Sequence, residues 1–241
     1  MSSIGENLFR VRERIEAACL RAGRSASHVR LVAVSKTKPI ELIQEALVAG
    51  QQIFGENYVQ EAVDKINHFP SAEWHFIGSL QTNKAKQVAG KFALIHSVDR
   101  MKLAQALDSA MSQRTLTSTS TSTSTSTSQP ILLQIHLGDE ETKHGFSLAE
   151  LPSALDEIAQ MKNVSVRGLM ALPPLEETEA KSRVHFANLR EALELVKARL
   201  PLEQRAVVRE LSMGTSGDFE AAILEGATLI RVGTDIFGAR G

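Results

Sequence analysis

The sequence predicts an α/β protein, a single (β/α)8 barrel preceded by one extra N-terminal helix, and three observations carry that prediction. Eight short apolar runs recur along the chain, each but the last is clearly followed by a helical pattern, and the series fits in about 210 residues. Repeated strand–helix units give a parallel sheet with right-handed crossovers. Eight of them suit a closed barrel better than an open doubly wound sheet, which is the alternative. The whole chain, 1–241, reads as one domain.

From Ile4, the positions Leu8, Val11, Ile15 and Cys19 form one helical stripe, and Gly23 stands where a C-terminal cap would end it. VRLVAVSK (29–36) is a strand suited to burial on both faces. Pro39 opens a helix reaching Gly50, with Ile43, Ala46 and Leu47 turned inward. QIFGEN (52–57) is the second strand, and Val59, Val63 and Ile66 mark its helix. WHFIGSL (74–80) is the third, with a helix at 83–89, and ALIHSVD (93–99) the fourth, with Leu103, Leu107 and Met111 on its helix. ILLQIHL (131–137) precedes a helix bearing Leu151, Leu155 and Ile158. VSVRGLMAL (164–172) precedes a long helix with Leu189, Leu193, Val196 and Leu200, stopped by Pro201. VVRELSM (207–213) leads to a helix near 217–225, and ATLIRVG (227–233) is the eighth strand.

One segment breaks the alternation. Residues 117–128 are six consecutive Thr-Ser pairs. With no apolar side chain to bury, this insertion (115–129 with its flanks) cannot offset its ordering entropy and is expected to be a disordered loop.

Composition narrows the function. There are 27 basic and 28 acidic side chains, a formal net charge of -1, so no general basic field exists for nucleic acid or anionic lipid. No apolar run approaches the ~20 residues of a membrane span, and the polar N-terminus lacks the apolar core of a secretory signal. A cytoplasmic protein is expected. The one cysteine, Cys19, permits no internal disulfide and no cysteine-only metal cage.

Barrels of this class carry their sites at the C-terminal edge of the strands. The polar residues there are Ser35, Lys36, Glu56, Asn57, His75, Ser79, His96, His136, Ser212, Thr215, Ser216, Arg231, Gly233 and Thr234. Lys36 ends the first strand, where partial desolvation would lower its pKa and suit it to Schiff-base formation with an aldehyde. The plainer reading is a lysine that has reached solvent, as Lys38 is expected to have done. ELSMGTSGD and RVGTDIFG follow the last two strands, the recurring phosphate position of this barrel. There Gly214, Gly217 and Gly233 let backbone N–H groups approach an anion, and Ser212, Ser216 and Thr234 offer hydroxyls. The pieces describe a ligand with an aldehyde at one end and a phosphate at the other. Pyridoxal 5'-phosphate has that shape, as does a phosphosugar aldehyde in a Schiff-base aldolase. His75, His96 and His136 lack HxH or HExxH spacing and read as polar contacts, not metal ligands. GTSGD is not a nucleophile elbow.

VAVSKTKP (32–39), FGENYVQEA (54–62), WHFIGSLQTNK (74–84), RGLMAL (167–172), LSMGTSGDFEAAI (211–223) and IRVGTDIFG (230–238) together resemble the pyridoxal phosphate homeostasis protein family. The resemblance implies an alanine-racemase-like barrel that binds pyridoxal phosphate without established turnover. It implies that Lys36 carries the cofactor as an internal aldimine, that Ser212, Met213, Gly233 and Thr234 surround the phosphate, and that Arg231 lies beside the cofactor. Asn57 and His75 are implied to line the pocket. Ser79 stands where the family commonly has histidine, and GTSGD replaces the commoner GMSDD or GMSAD.

An arginine beside the pyridine nitrogen leaves it unprotonated and a poorer electron sink, although racemases of related fold tolerate this. The chain has one tyrosine, Tyr58, and no evident second domain to supply another acid/base. The expectation is therefore a monomeric carrier, loading and releasing cofactor and delivering it to pyridoxal-phosphate-dependent apo-enzymes. An amino-acid racemase or decarboxylase is the alternative.

Overall fold

The computed structural model describes residues 3–117, 128–137, 144–174 and 176–239. The Thr-Ser tract falls almost wholly outside the described residues. Eight parallel strands pair in sequence order, and β8 returns to β1, closing the barrel. They are β1 (Arg30–Val34), β2 (Ile53–Glu56), β3 (Glu73–Phe76), β4 (Leu94–Val98), β5 (Gln129–Gln134), β6 (Val164–Met170), β7 (Glu210–Ser212) and β8 (Leu229–Val232). The helices are α1 (Ile4–Arg21), α2 (Ile40–Val48), α3 (Val59–His68), α4 (Ala85–Val88), α5 (Met101–Thr117), α6 (Leu151–Ile158), α7 (Glu179–Arg199), α8 (Leu202–Arg205), α9 (Phe219–Leu224) and α10 (Thr234–Phe237).

Helix α1 starts with a capping box, in which Ser3 Oγ accepts from Glu6 N–H and Glu6 accepts in return. Its stripe of Ile4, Leu8, Val11, Ile15 and Cys19 is buried against α2, α9 and α10. Asn7 Nδ2 donates to the Ile236 carbonyl, and Arg14 pairs with Glu220 and Asp235. The extra helix thus braces the two segments that follow β7 and β8.

The core has two parts. The larger lies between the strands and the helices. The smaller fills the barrel interior with Val32, Leu94, Leu132, Met170 and Leu229, and Ile53 packs against it. That interior set is small because much of the remaining space is polar: His75, His96, Ser212 and Arg231 are all buried.

Every strand is shorter than the run that predicts it, and two of them have a clear local reason. β7 begins at Glu210, because Val207 and Val208 are still turning out of α8 with N–H bonds to Gln204 and Arg205. β3 ends at Phe76, and its chain then passes so close to β2 that a Cβ on Gly78 would lie 2.3 Å from the Asn57 carbonyl oxygen. After β8 comes a one-turn helix, α10, that the apolar pattern did not announce.

Gly78→Ala must therefore push β3 away from the end of β2. The variant is expected to lose about 2–4 kcal/mol of stability in a denaturant titration. Wild-type stability in that titration would mean the two chain segments can separate freely.

Candidate functional site

β1 ends at Val34, and strand alternation puts Lys36 on the same side as Val32, toward the barrel axis, with Ser35 outside. The chain around Lys36 is clamped from outside the barrel. Lys65, buried on α3, donates to the Ser35 carbonyl at 2.7 Å, to Glu56 Oε1 at 2.8 Å and to Glu61 Oε1 at 2.6 Å. Ser35 Oγ donates to the same Glu56 oxygen at 2.6 Å, and Thr37 N–H donates to Glu61 Oε1 at 2.6 Å. Burial pushes the Glu56 carboxyl up, and the bonds from Lys65 and Ser35 oppose that rise. Thr37 adopts φ 61°, a left-handed conformation that costs a β-branched residue about 1–2 kcal/mol. Lys36, half-buried, therefore sits between two residues whose backbone is held. Lys38 has not simply reached solvent. Its Nζ donates to the carbonyls of Phe237, Gly238 and Ala239, tying the segment after β1 to the end of α10.

Arg231 occupies the interior side of β8, paired in register with Val32 of β1. Its guanidinium donates to Ser212 Oγ and, at 2.9 Å, to the Ala171 carbonyl. Both partners are neutral. Desolvation consequently pushes its pKa down to about 10, only partly opposed by the charge of Asp218. It stays cationic at neutral pH. From Ser212 a line of contacts descends the barrel. Ser212 Oγ lies 2.8 Å from His96 Nδ1, His96 Nε2 lies 2.9 Å from His75 Nδ1, and His75 Nε2 lies 2.8 Å from Glu73 Oε1. Burial lowers both imidazoles, His96 well below the ordinary value, with His75 and Arg231 adding to its depression. The His75 bond holds the Glu73 carboxyl low.

The loops after β7 and β8 complete the rim. Thr215 N–H and Oγ1 both donate to Asp218 Oδ1, folding 215–218 into a tight turn before α9. Gly214, at φ 88°, allows that turn, and a Cβ there would stand 2.7 Å from the Ala222 Cβ. Gly233 packs on the end of β1, where an added Cβ would lie 3.3 Å from the Val34 carbonyl oxygen. The β8 loop is thus beside the segment that carries Lys36.

Lys36, Asn57, Arg231, Gly233 and Thr234 therefore gather at one mouth, on adjacent strands β8, β1 and β2 and their loops. Three of the expected site residues already have partners. The Ser212 hydroxyl is engaged by His96 and Arg231 inside the barrel. The Met213 side chain joins the outer core, and its N–H is used by the Leu229 carbonyl. His75 is buried in the barrel interior, bonded to Glu73 and His96. His136 is apart from the other two histidines, past the end of β5, and no group of metal-ligating residues occurs among the described residues. Sequence reasoning missed Lys65, Glu61 and Glu73. The i,i+4 spacing of Glu61 and Lys65 and the i,i+2 spacing of Glu73 and His75 were the available signals.

Comparisons with known proteins identify the family. Residues 7–241 match the model of the alanine racemase N-terminal domain. The chain is 42% identical over 245 residues to the pyridoxal phosphate homeostasis protein of Escherichia coli strain K12, covering 100% of this chain and 98% of that one. This chain belongs to the pyridoxal phosphate homeostasis protein family. The member from Aquifex aeolicus is 40% identical over 237 residues, with 98% of this chain and 97% of that one covered. Among solved structures, PipY of Synechococcus elongatus with pyridoxal phosphate bound is 38% identical with TM-score 0.79, over 98% of this chain and 100% of PipY. Alanine racemase of Corynebacterium glutamicum, at 15% identity and TM-score 0.67, covers 95% of this chain and shares the barrel alone.

The residues fit such a cofactor. A buried guanidinium with only neutral partners offers donors to a lone pair or anion, and Asn57 Oδ1 is buried without a hydrogen-bond partner. Gly233 keeps the rim open beside Val34. Removing the clamp should be costly. Lys65→Met is expected to lower stability by about 3 kcal/mol at pH 7. That loss should shrink as the pH falls, because Glu56, its carboxyl already raised and now without a cation, accepts a proton more readily; denaturant titration at pH 7 and at lower pH reads both effects. The histidines impose the opposite trend on the wild type. Unfolded histidine protonates near pH ~6.5 while the folded pair resists, so stability is full above that pH and falls below it. The expected slope is about 1.4 kcal/mol per pH unit per histidine until each depressed value is reached. A flat stability profile between pH 7 and pH 5 would mean the pair is not held neutral.

Proposed function

We propose that this protein is a reversible carrier of pyridoxal 5'-phosphate, held on Lys36 and kept available to cofactor-dependent apo-enzymes. What carries the reading is the pairing of a clamped, half-buried amine with a buried cation on the neighbouring strand, both on the interior side of one barrel mouth. When bound, the cofactor supplies an aldehyde that condenses reversibly with a primary amine and releases water. The relatives' names and the cofactor-bound PipY support the choice of ligand.

Each group has a distinct task. Lys36 supplies the amine, and the Lys65 clamp fixes where its Cα stands. Arg231 presents N–H donors to the ring nitrogen and keeps its own protons at neutral pH. The turn at 214–218 and the α10 start at Gly233 and Thr234 receive the phosphate through backbone N–H groups. Asn57 accepts a hydrogen bond at the β2 edge.

The same residues favour carrying over turnover. An enzyme acting on amino acids through this cofactor needs the ring to accept electrons, and an arginine that retains its protons does not protonate the ring. The reading includes a cytoplasmic monomer. No described helix is long and apolar enough to cross a membrane.

Lys36→Ala is expected to abolish the visible absorption band of protein-bound cofactor while leaving the melting temperature nearly unchanged. Borohydride reduction and peptide mass spectrometry should place the adduct on Lys36. An adduct on Lys38 or Lys84 would reject the site. Arg231→Gln should weaken cofactor retention by about 1.5–3 kcal/mol, the range for a hydrogen bond from a charged donor. Sustained racemisation or decarboxylation of an amino-acid panel, well above free cofactor, would reject the carrier reading in favour of an enzyme.

A further inference from the structure

The line of contacts below Arg231 admits one arrangement of protons. Glu73 is held ionised and can only accept, so His75 Nε2 carries a hydrogen and donates to it. Burial keeps His75 neutral, so its Nδ1 is an acceptor and His96 Nε2–H donates to it. His96 is likewise neutral, so its Nδ1 accepts, and the hydroxyl proton of Ser212 must point there. Ser212 Oγ is then left with its lone pairs facing Arg231, which donates to it. Every donor in the line is directed toward Glu73.

Such a line is unusual filling for a barrel interior, which branched apolar side chains ordinarily occupy. Four buried polar side chains are tolerated only when every member is satisfied, and here each link is. The base of the line is also held: Arg30 lies 3.6 Å from Glu73 and 3.0 Å from Glu210 at the opposite mouth. Stability alone would be served as well by apolar side chains. The polar line does something they cannot. It fixes the direction of one hydroxyl, and that hydroxyl holds the guanidinium.

We propose that His96, His75 and Glu73 are positioning residues that lock Ser212 as an acceptor and thereby orient the Arg231 guanidinium at the floor of the site. The ligand consequence rests on the reading that Arg231 faces pyridoxal phosphate; the proton arrangement does not. His96→Asn keeps an acceptor near the Nδ1 position, whereas His96→Phe fills the space and removes it. His96→Phe leaves Ser212 free to rotate and to compete for the ligand, and Arg231 loses its fixed partner.

Two measurements test this separately. In the cofactor-free wild type, long-range proton–nitrogen NMR should show both His75 and His96 as neutral Nε2–H tautomers. An Nδ1–H tautomer or an imidazolium at either position would overturn the proton arrangement whatever the ligand is. In titrations with pyridoxal 5'-phosphate, His96→Phe should bind about tenfold more weakly, as expected for one charge-assisted hydrogen bond made loose. Its bound absorption maximum should also shift, while His96→Asn recovers most of both. If Arg231→Gln weakens binding but His96→Phe and Ser212→Ala leave affinity and spectrum at wild-type values, positioning is refuted. If Arg231→Gln also has no effect, the fault lies in the cofactor reading. Should His96→Phe fail to fold, Ser212→Ala and the wild-type tautomers still decide the matter.

Discussion

A guanidinium buried in the barrel with only neutral partners is the constraint to which the rest of the site answers. Desolvation of Arg231 is expensive, and its two intramolecular bonds offset only part of it. The chain meets this in two ways. It commits a serine, two neutral histidines and a remote carboxylate to hold one face of the cation. It also leaves the other side toward a mouth where an amine and two glycine-containing loops converge. On the proposed reading, a ligand with a lone pair or negative charge relieves the remaining cost, so the binding function and the folding problem share one residue.

The two clamps operate on opposite sides of the sheet. Outside, Lys65 joins Ser35, Glu56 and Glu61, and Glu61 in turn restrains the strained Thr37. Inside, the line from Glu73 restrains Arg231. Backbone strain beside Lys36 persists because the outer clamp over-determines it. The amine and the cation are therefore positioned independently, so a substitution in one clamp need not disturb the other.

Much of the fold was legible because periodicity reports which face is buried. The α1 stripe, Gly23 at φ 63°, and the eight apolar runs appear where the pattern put them. Strand ends were less legible, as at β7, where two valines belong to a turn and not to the sheet. Lys36 stood out by its place at the end of an apolar strand, although a lysine that has reached solvent is the plainer reading, and Arg231 through the motif IRVGTDIFG. Alternation puts Ser212 and His75 inside the barrel but does not say how high in it they stand. His96 and Ser212 are 116 residues apart in sequence, and only the strand register brings them to 2.8 Å. Lys65, four residues from Glu61, reads as a solvated helix pair until the strand ends beneath it are in place.

The most direct test of the central claim is a crystal structure of the protein grown with pyridoxal 5'-phosphate. Continuous electron density from Lys36 Nζ to the ligand, with the ring nitrogen facing Arg231 and the phosphate against the segments after β7 and β8, is the predicted result. Density joined to another lysine, or a ring turned away from Arg231, would contradict it.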